Sequence, residues 1–323
     1  MTIIQRPQPV AFAADLQDYI IDSDASITFD VKKGNKLVLS EDYSPDGHFS
    51  IRTHKLGKFC AQALWGRWPQ GFNTIQENLM DEFSFIVNGA LDQTTRVIGS
   101  RGRVSYTPAD VQALTLAQQT TVNHSAPFYV SMILAEGEKV TAFASDAEGG
   151  RHSVVLYSHV GPAAIVTIDA SPARIAAAVS IQNLYSFQIG GMTVIVDQTR
   201  YLEIHSFRFM NNFECPETIT ATGSFITKGA QKTENAFMDG IERKFRVTVR
   251  DEHTVNSGVI FLQTDYKLWH ELISARQVQA LMGGRWVDII ITKSKYERSY
   301  KKNILKSVEF SFVVADPDEI TEL

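Results

Sequence analysis

Short runs rich in β-branched and aromatic residues, separated by turn signals, dominate the hydrophobic pattern of this chain. Runs such as KLVLSEDY and HFSIRTH alternate apolar and polar positions with the period of two that a half-buried strand requires. Between them lies Ser44-Pro45-Asp46-Gly47, whose proline presets φ for a turn, so the pattern predicts a hairpin there. Three Gly-Gly pairs, Gly149-Gly150, Gly190-Gly191 and Gly283-Gly284, predict further tight hairpins, because such loops need positive φ. The segment from Gly283 to Asp316 reads as two long strands joined by a charged connection.

Helical periodicity is rare. Leu268, Trp269, Leu272 and Ile273 share a face at 3.6-residue spacing behind Thr264 or Asp265 as a cap, which predicts a short helix at about 265–274. Thr107-Pro108 and Ser171-Pro172 each look like a cap followed by proline at the first helical position. The first would start a turn carrying Val111 and Leu114, and the second precedes the short stretch ARIAAAV. Lys58 to Leu64 is a weaker candidate. The expected fold class is mainly β, with antiparallel β-sandwich domains and a few short helices. A polar break at Val196–Thr199 divides a β-rich region at 1–198, holding one decorated sandwich or two small units, from a sandwich at 199–323.

Composition changes this picture little. With 323 residues, 44% hydrophobic and 21% charged, the chain can bury a core, and a net charge of −5 gives no global attraction to nucleic acid or anionic lipid. The N-terminal stretch lacks the unbroken apolar run of a signal peptide, and no stretch approaches the roughly 18 apolar residues of a membrane span. Neither membrane insertion nor nucleic-acid binding is therefore expected, and the chain is expected to begin and stay in the cytoplasm. Cys60 and Cys215 belong to no C-x-x-C pair and read as free structural thiols.

Candidate chemistry is sparse. Asp42, Ser44, Asp46 and Gly47 match the opening of a calcium loop, but Pro45 interrupts it and Thr53 stands where the bidentate glutamate belongs. His152 and His159 would face opposite sides of a strand, and His48 and His54 lack a third ligand, so no metal site is expected. Glu214 and Glu217 flank Cys215-Pro216 and could share a turn, which is common on loops and does not by itself make an acid pair for catalysis. Neither a nucleophile elbow nor a phosphate-binding glycine loop is present, so the chain is not expected to be an enzyme or to carry a cofactor.

The most suggestive contact surface is Leu64 to Phe72, where Trp65, Arg67, Trp68 and Phe72 could meet a partner or a sugar. The preferred reading is a buried plug under a loop. Between Arg285 and Lys306 seven basic residues stand against two acidic ones, a pattern that suits a lysine-rich solvent edge blocking stray strand pairing.

The second half resembles structural proteins of tailed bacteriophages and prophages, particularly tail-tip and baseplate proteins of phages infecting Bacteroidetes. The resemblance is carried by FRFMNNFECPETITATG (Phe207 to Gly223), the glycine-marked strand at Gly240 to Val249, YKLWHELISARQV (Tyr266 to Val278) and the terminal strands. LVLSEDYSPDGHFSIRTHKLG looks like the strand, turn and strand near the start of such proteins, whereas Arg101 to Asp169 matches nothing in them. The resemblance implies a non-enzymatic virion protein, assembled in the bacterial cytoplasm. Its partners would be other tail or virion subunits, copies of itself in a homo-oligomer included. A surface carbohydrate-binding β-sandwich is the alternative, and an all-β enzyme the third reading.

Overall fold

A computed structural model describes residues 1–65, 73–104, 107–110, 112–295 and 306–316. The chain is mainly β, with three α-helices among the described residues. Strands form where alternating apolar residues can share one buried face.

The N-terminal region holds two sheets. In the first, β1 (Thr2–Gln5), β3 (Ile20–Asp22) and β6 (Ser50–Arg52) run antiparallel. In the second the order is β2 (Val10–Phe12), β9 (Ala90–Ile98), β8 (Met80–Val87), β4 (Ile27–Lys33) and β5 (Lys36–Tyr43), antiparallel except for β2 with β9. Alternation in β4 and β8 turns Phe29, Val31, Phe83, Phe85 and Val87 inward, where Tyr19 meets Phe29 edge-on at 5.1 Å.

The turn lies two residues later than expected, at Asp46–Phe49, where the Phe49 amide donates to the Asp46 carbonyl at 3.0 Å and the Asp46 carboxylate accepts from the amides of His48 and Ser50. The hairpin expected around it does not form. β5 pairs with β4 and β6 with β3, so the turn carries the chain from one sheet to the other.

The middle region contains a five-stranded sheet, ordered β10 (Gln119–Asn123), β16 (Met192–Asp197), β15 (Leu184–Ile189), β12 (Lys139–Asp146) and β13 (Arg151–Ser158). Only β10 with β16 is parallel in it. Facing it is a smaller sheet of β11 (Tyr129–Leu134), β14 (Ala164–Asp169) and β7 (Thr74–Ile75). Helix α2 (Pro172–Val179) starts at the expected proline, but Ser171 makes no capping bond; its hydroxyl instead joins Asp169 to the Phe128 amide.

The C-terminal region is a seven-stranded sheet. Its order is β18 (Pro216–Ala221), β17 (His205–Met210), β21 (Val278–Met282), β22 (Arg285–Lys295), β23 (Glu309–Val314), β20 (Ile241–Asn256) and β19 (Phe225–Met238). Helix α3 (Gln263–Ser274) lays Leu268, Trp269 and Leu272 into buried surroundings. The three Gly-Gly pairs occupy the β12–β13, β15–β16 and β21–β22 turns, with φ of +89° at Gly149, +54° and +78° at Gly190 and Gly191, and +55° and +76° at Gly283 and Gly284.

Three hydrophobic clusters follow these regions, at 11–97, 113–196 and 207–312. A fourth, which includes Phe12, Leu79, Leu114, Ile165, Met210, Phe213 and Cys215, joins them. Both cysteines are free and buried, and burial pushes the Cys60 thiol up to about 12.

Candidate functional site

Helix α1 (Leu56–Leu64) begins where Lys55 turns left-handed at φ +61° without a side-chain cap of its own. The Asp18 carboxylate supplies the missing acceptor, taking the amides of Leu56 at 2.9 Å and Lys55 at 3.2 Å. Gly57 lets the helix settle against the chain at Ala13, where a Cβ would stand 1.9 Å from the Ala13 carbonyl oxygen. This close packing forms one wall of a cleft of about 1310 Å³.

The opposite walls come from residues 75–79, from Gly99 to Arg103, and from the C-terminal region through Met210, Glu214 and Arg276. Glu214 owes its position to the tight turn after β17. There the Asn211 side-chain oxygen accepts from the amides of Phe213 and Cys215, and Glu214 itself adopts φ +57°. Its carboxylate stands 3.9 Å from Arg101 and 4.0 Å from Arg276. Burial raises its pKa and the two guanidinium groups oppose that rise. Arg101 also donates to the Ser274 carbonyl at 2.9 Å, which ties this wall to the end of α3.

Trp65 closes α1 at the mouth of the cleft. It is 56% exposed, so the buried-plug expectation fails for this residue. The Arg276 guanidinium lies 5.4 Å from its ring centre, a cation–π contact. Arg67, Trp68 and Phe72 lie outside the described residues. Lysines 55 and 58 and arginines 101, 103 and 276 all line the cleft, against Asp18, Glu77 and Glu214. Apolar surface comes from Leu16, Leu64, Ile75, Leu79 and Met210.

Glu214 and Glu217, which the sequence allowed to share a turn, have different surroundings: Glu214 lines the cleft and Glu217 does not. Glu217 is fully buried, accepting from the Thr115 hydroxyl at 2.6 Å and the Asn211 amide at 2.8 Å. Its electrostatic neighbour is Glu271 of α3, whose two carboxylate oxygens are buried without a hydrogen bond of proper geometry, although the Asn212 amide faces them. Burial raises both acids. Asp265, held by the Thr120 hydroxyl at 2.7 Å, is pushed up to about 6 by burial. These acids sit where α3 and β18 meet the middle region and do not line the cleft. The histidines disperse: His159 bonds the Pro162 carbonyl, His152 approaches Asp146 at 3.4 Å, and His48 and His54 are exposed. No group of three metal-ligating side chains forms among the described residues, and no helix there is long and apolar enough to cross a membrane.

A second feature is the ribbon of β19 and β20. At its root Phe225 stacks on His205 at 4.0 Å and on His253 at 5.5 Å. β20 pairs with β23 only over His253–Asn256, and outward of Arg250 the two strands pair only with each other among the described residues. At about 3.4 Å per residue the free part is about 30 Å long. It turns at Asp239 and Gly240 with φ of +54° and +76°, and exposes Phe237, Met238 and Ile241 at its tip.

No protein-family model matches the chain, and no curated protein matches it. Two solved chains show partial likeness. One, in the virion of a native gene transfer agent particle, is 13% identical with a TM-score of 0.24, covering 34% of this chain and 91% of that one. The other, in the C6-symmetric tail of an empty gene transfer agent particle, is 14% identical with a TM-score of 0.24, covering 34% of this chain and 90% of that one.

Proposed function

We propose that this chain is a non-enzymatic structural component of a phage or prophage tail, placed at the tail tip or baseplate, and that it works by contact between subunits. The observation that carries this reading is the projecting ribbon. A two-stranded ribbon is marginal in water by itself, and three large apolar side chains at its end gain nothing from solvent. Both features make sense once another subunit covers the tip. The sequence motifs that resemble tail proteins fall on β5 and β6, on β17, the Asn211 turn and β18, on the ribbon strand β20, on α3, and on β22 and β23. They therefore concern framework rather than chemistry, as suits a building block.

The test is genetic and biochemical together. Deleting the gene from a phage or prophage that carries it should yield particles whose tails are absent or stop short of the tip, and the wild-type chain should be found in purified particles. Complete, infectious tails without the chain would overturn the reading. The alternative, a carbohydrate-binding surface around exposed Trp65, predicts glycan binding that Trp65→Ala abolishes while assembly continues.

A further inference from the structure

Gln76 lines the cleft at only 5% exposure, and its side-chain nitrogen finds no hydrogen-bond acceptor among the described residues. The Nε of Arg101, on the same cleft, is buried without one too, since the Glu214 carboxylate stops 3.9 Å away. A buried donor left unmatched is a standing cost that an acceptor on a ligand relieves. Charge has the same sense. Lys55, Lys58, Arg103 and Arg276 are exposed on the cleft. Of its three acids, Asp18 accepts the first amides of α1 and Glu214 lies between Arg101 and Arg276, which leaves Glu77. At 4.0 Å from Glu214 the Arg276 guanidinium is too far for a hydrogen bond, so its planar fork can still take a carboxylate with two parallel bonds.

The apolar lining is thin. Leu16, Leu64, Leu79 and Met210 are buried, and Ile75 and Trp65 alone among the large apolar side chains there are exposed. A peptide bound here would find few places to bury an anchor side chain. Exposed Gln62, Glu77 and Asn78 instead offer both donors and acceptors, which suit a ligand rich in hydroxyls. Trp65 adds an open aromatic ring at the mouth, a surface on which a sugar ring can lie. At about 1310 Å³ the cleft exceeds the roughly 300–1,000 Å³ usual for a single small ligand and has room for several linked rings.

We infer that the cleft between α1 and the Glu214 turn binds an acidic oligosaccharide, a short chain of sugars that bear carboxylates. Trp65 receives a ring at the mouth, Arg276 grips a carboxylate, and Gln76 and Arg101 meet acceptors deeper in the wall. Lys58 and Arg103 hold the remaining charge and draw the ligand in. This goes beyond the assembly reading and does not rest on it.

The experiment is titration calorimetry of the full chain with tetragalacturonic acid, trisialic acid, neutral maltotetraose and tetraglutamate. At least one of the two acidic sugars should bind saturably, with a dissociation constant below about 1 mM, and maltotetraose at least tenfold more weakly. Arg276→Gln, and Lys58→Gln together with Arg103→Gln, change exposed side chains, so thermal unfolding should match wild type while each weakens binding at least tenfold. Arg151→Gln, exposed on β13 and away from the cleft, should bind as wild type does. Gln76→Leu removes the unmatched donor: the free chain should be at least as stable, yet bind more weakly, a combination that a purely structural glutamine would not give. Failure of both acidic sugars to bind, equal binding of maltotetraose, or unchanged binding by the cleft variants overturns the inference. Tetraglutamate binding more tightly than either sugar overturns it in favour of an acidic peptide. None of these outcomes bears on whether the chain is found in particles, so the tail reading stands or falls separately.

Discussion

Glu271 of α3 is buried beside Glu217 of β18: burial raises the cost of ionising both acids, and the charge of Glu217 raises it further at Glu271. Both acids therefore hold their protons more tightly in the folded chain than in the unfolded one. The sign follows from linkage. Stability from a raised carboxyl is fully present below the ordinary value near 4.5 and is lost as pH climbs through the folded value. The wild-type chain should lose stability between about pH 5 and pH 8. Glu271→Gln, which keeps the shape without the charge, should be more stable than wild type at pH 8 by about 2 kcal/mol, the scale of a buried, unpaired charge. Urea unfolding at several pH values measures this; a parallel decline in both proteins would refute it.

The histidines at the ribbon root act in the opposite direction. Burial lowers His205 and His253, so their contribution is present above the ordinary histidine value near 6.5 and is lost as pH falls through the folded values. In the Glu271→Gln background, the protection of β19 and β20 amides, taken relative to the intrinsic exchange rate at each pH, should fall between pH 7 and pH 5. NMR titration should find both imidazoles below the ordinary value, and ordinary titration of either would count against the assigned burial.

Gly57 should not tolerate a side chain. A Cβ there meets the Ala13 carbonyl oxygen at 1.9 Å, and backbone cannot move aside cheaply. Gly57→Ala should cost about 2 kcal/mol, within the usual range for overpacking. Gly47, with nothing within 4 Å of its Cβ position and no positive φ, provides the contrast: Gly47→Ala should change stability little. Thermal unfolding of the two variants side by side decides the matter.

Tyr19 ends a chain of polar contacts, donating its hydroxyl to Asp92 at 2.9 Å, while Arg6 donates to both oxygens of the same carboxylate. Tyr19→Phe should destabilise the N-terminal core by about 1 kcal/mol, the usual net value of such a bond. Removal of Asp92 should cost more, because the buried hydroxyl then loses its acceptor and Arg6 its counter-charge. Denaturant midpoints for Tyr19→Phe and Asp92→Ala give the comparison.

Local chemistry was the legible part of this chain. The Gly-Gly hairpins can be read directly because each turn needs at least one positive φ, which glycine adopts without strain. Helix α3 can be read from Leu268, Trp269 and Leu272, whose spacing leaves one buried face. The strands around Ser44–Gly47 show where that reading stops. The turn residues dictate a change of direction, but whether β6 returns to β5 or joins β3 depends on Ile51 finding the cluster under Tyr19 and Ile21. The cleft was hidden for the same reason. Asp18 and Lys55 are 37 positions apart, and Arg101 meets the Ser274 carbonyl across 173. Glu271 carried one faint sign, a carboxylate three positions after Leu268 and one before Leu272, close to the apolar face of a short helix.

The ribbon's root also governs what happens to a force applied at its far end. β20 passes unbroken from the free ribbon into register with β23, and His253 and Phe225 are wedged among Phe312 and His205. A pull or twist on Phe237 is therefore borne by continuous peptide backbone and delivered to the aromatic heart of the seven-stranded sheet. The arm works as a lever whose fulcrum is the molecule's own interior, so a neighbour that moves the tip also strains the core.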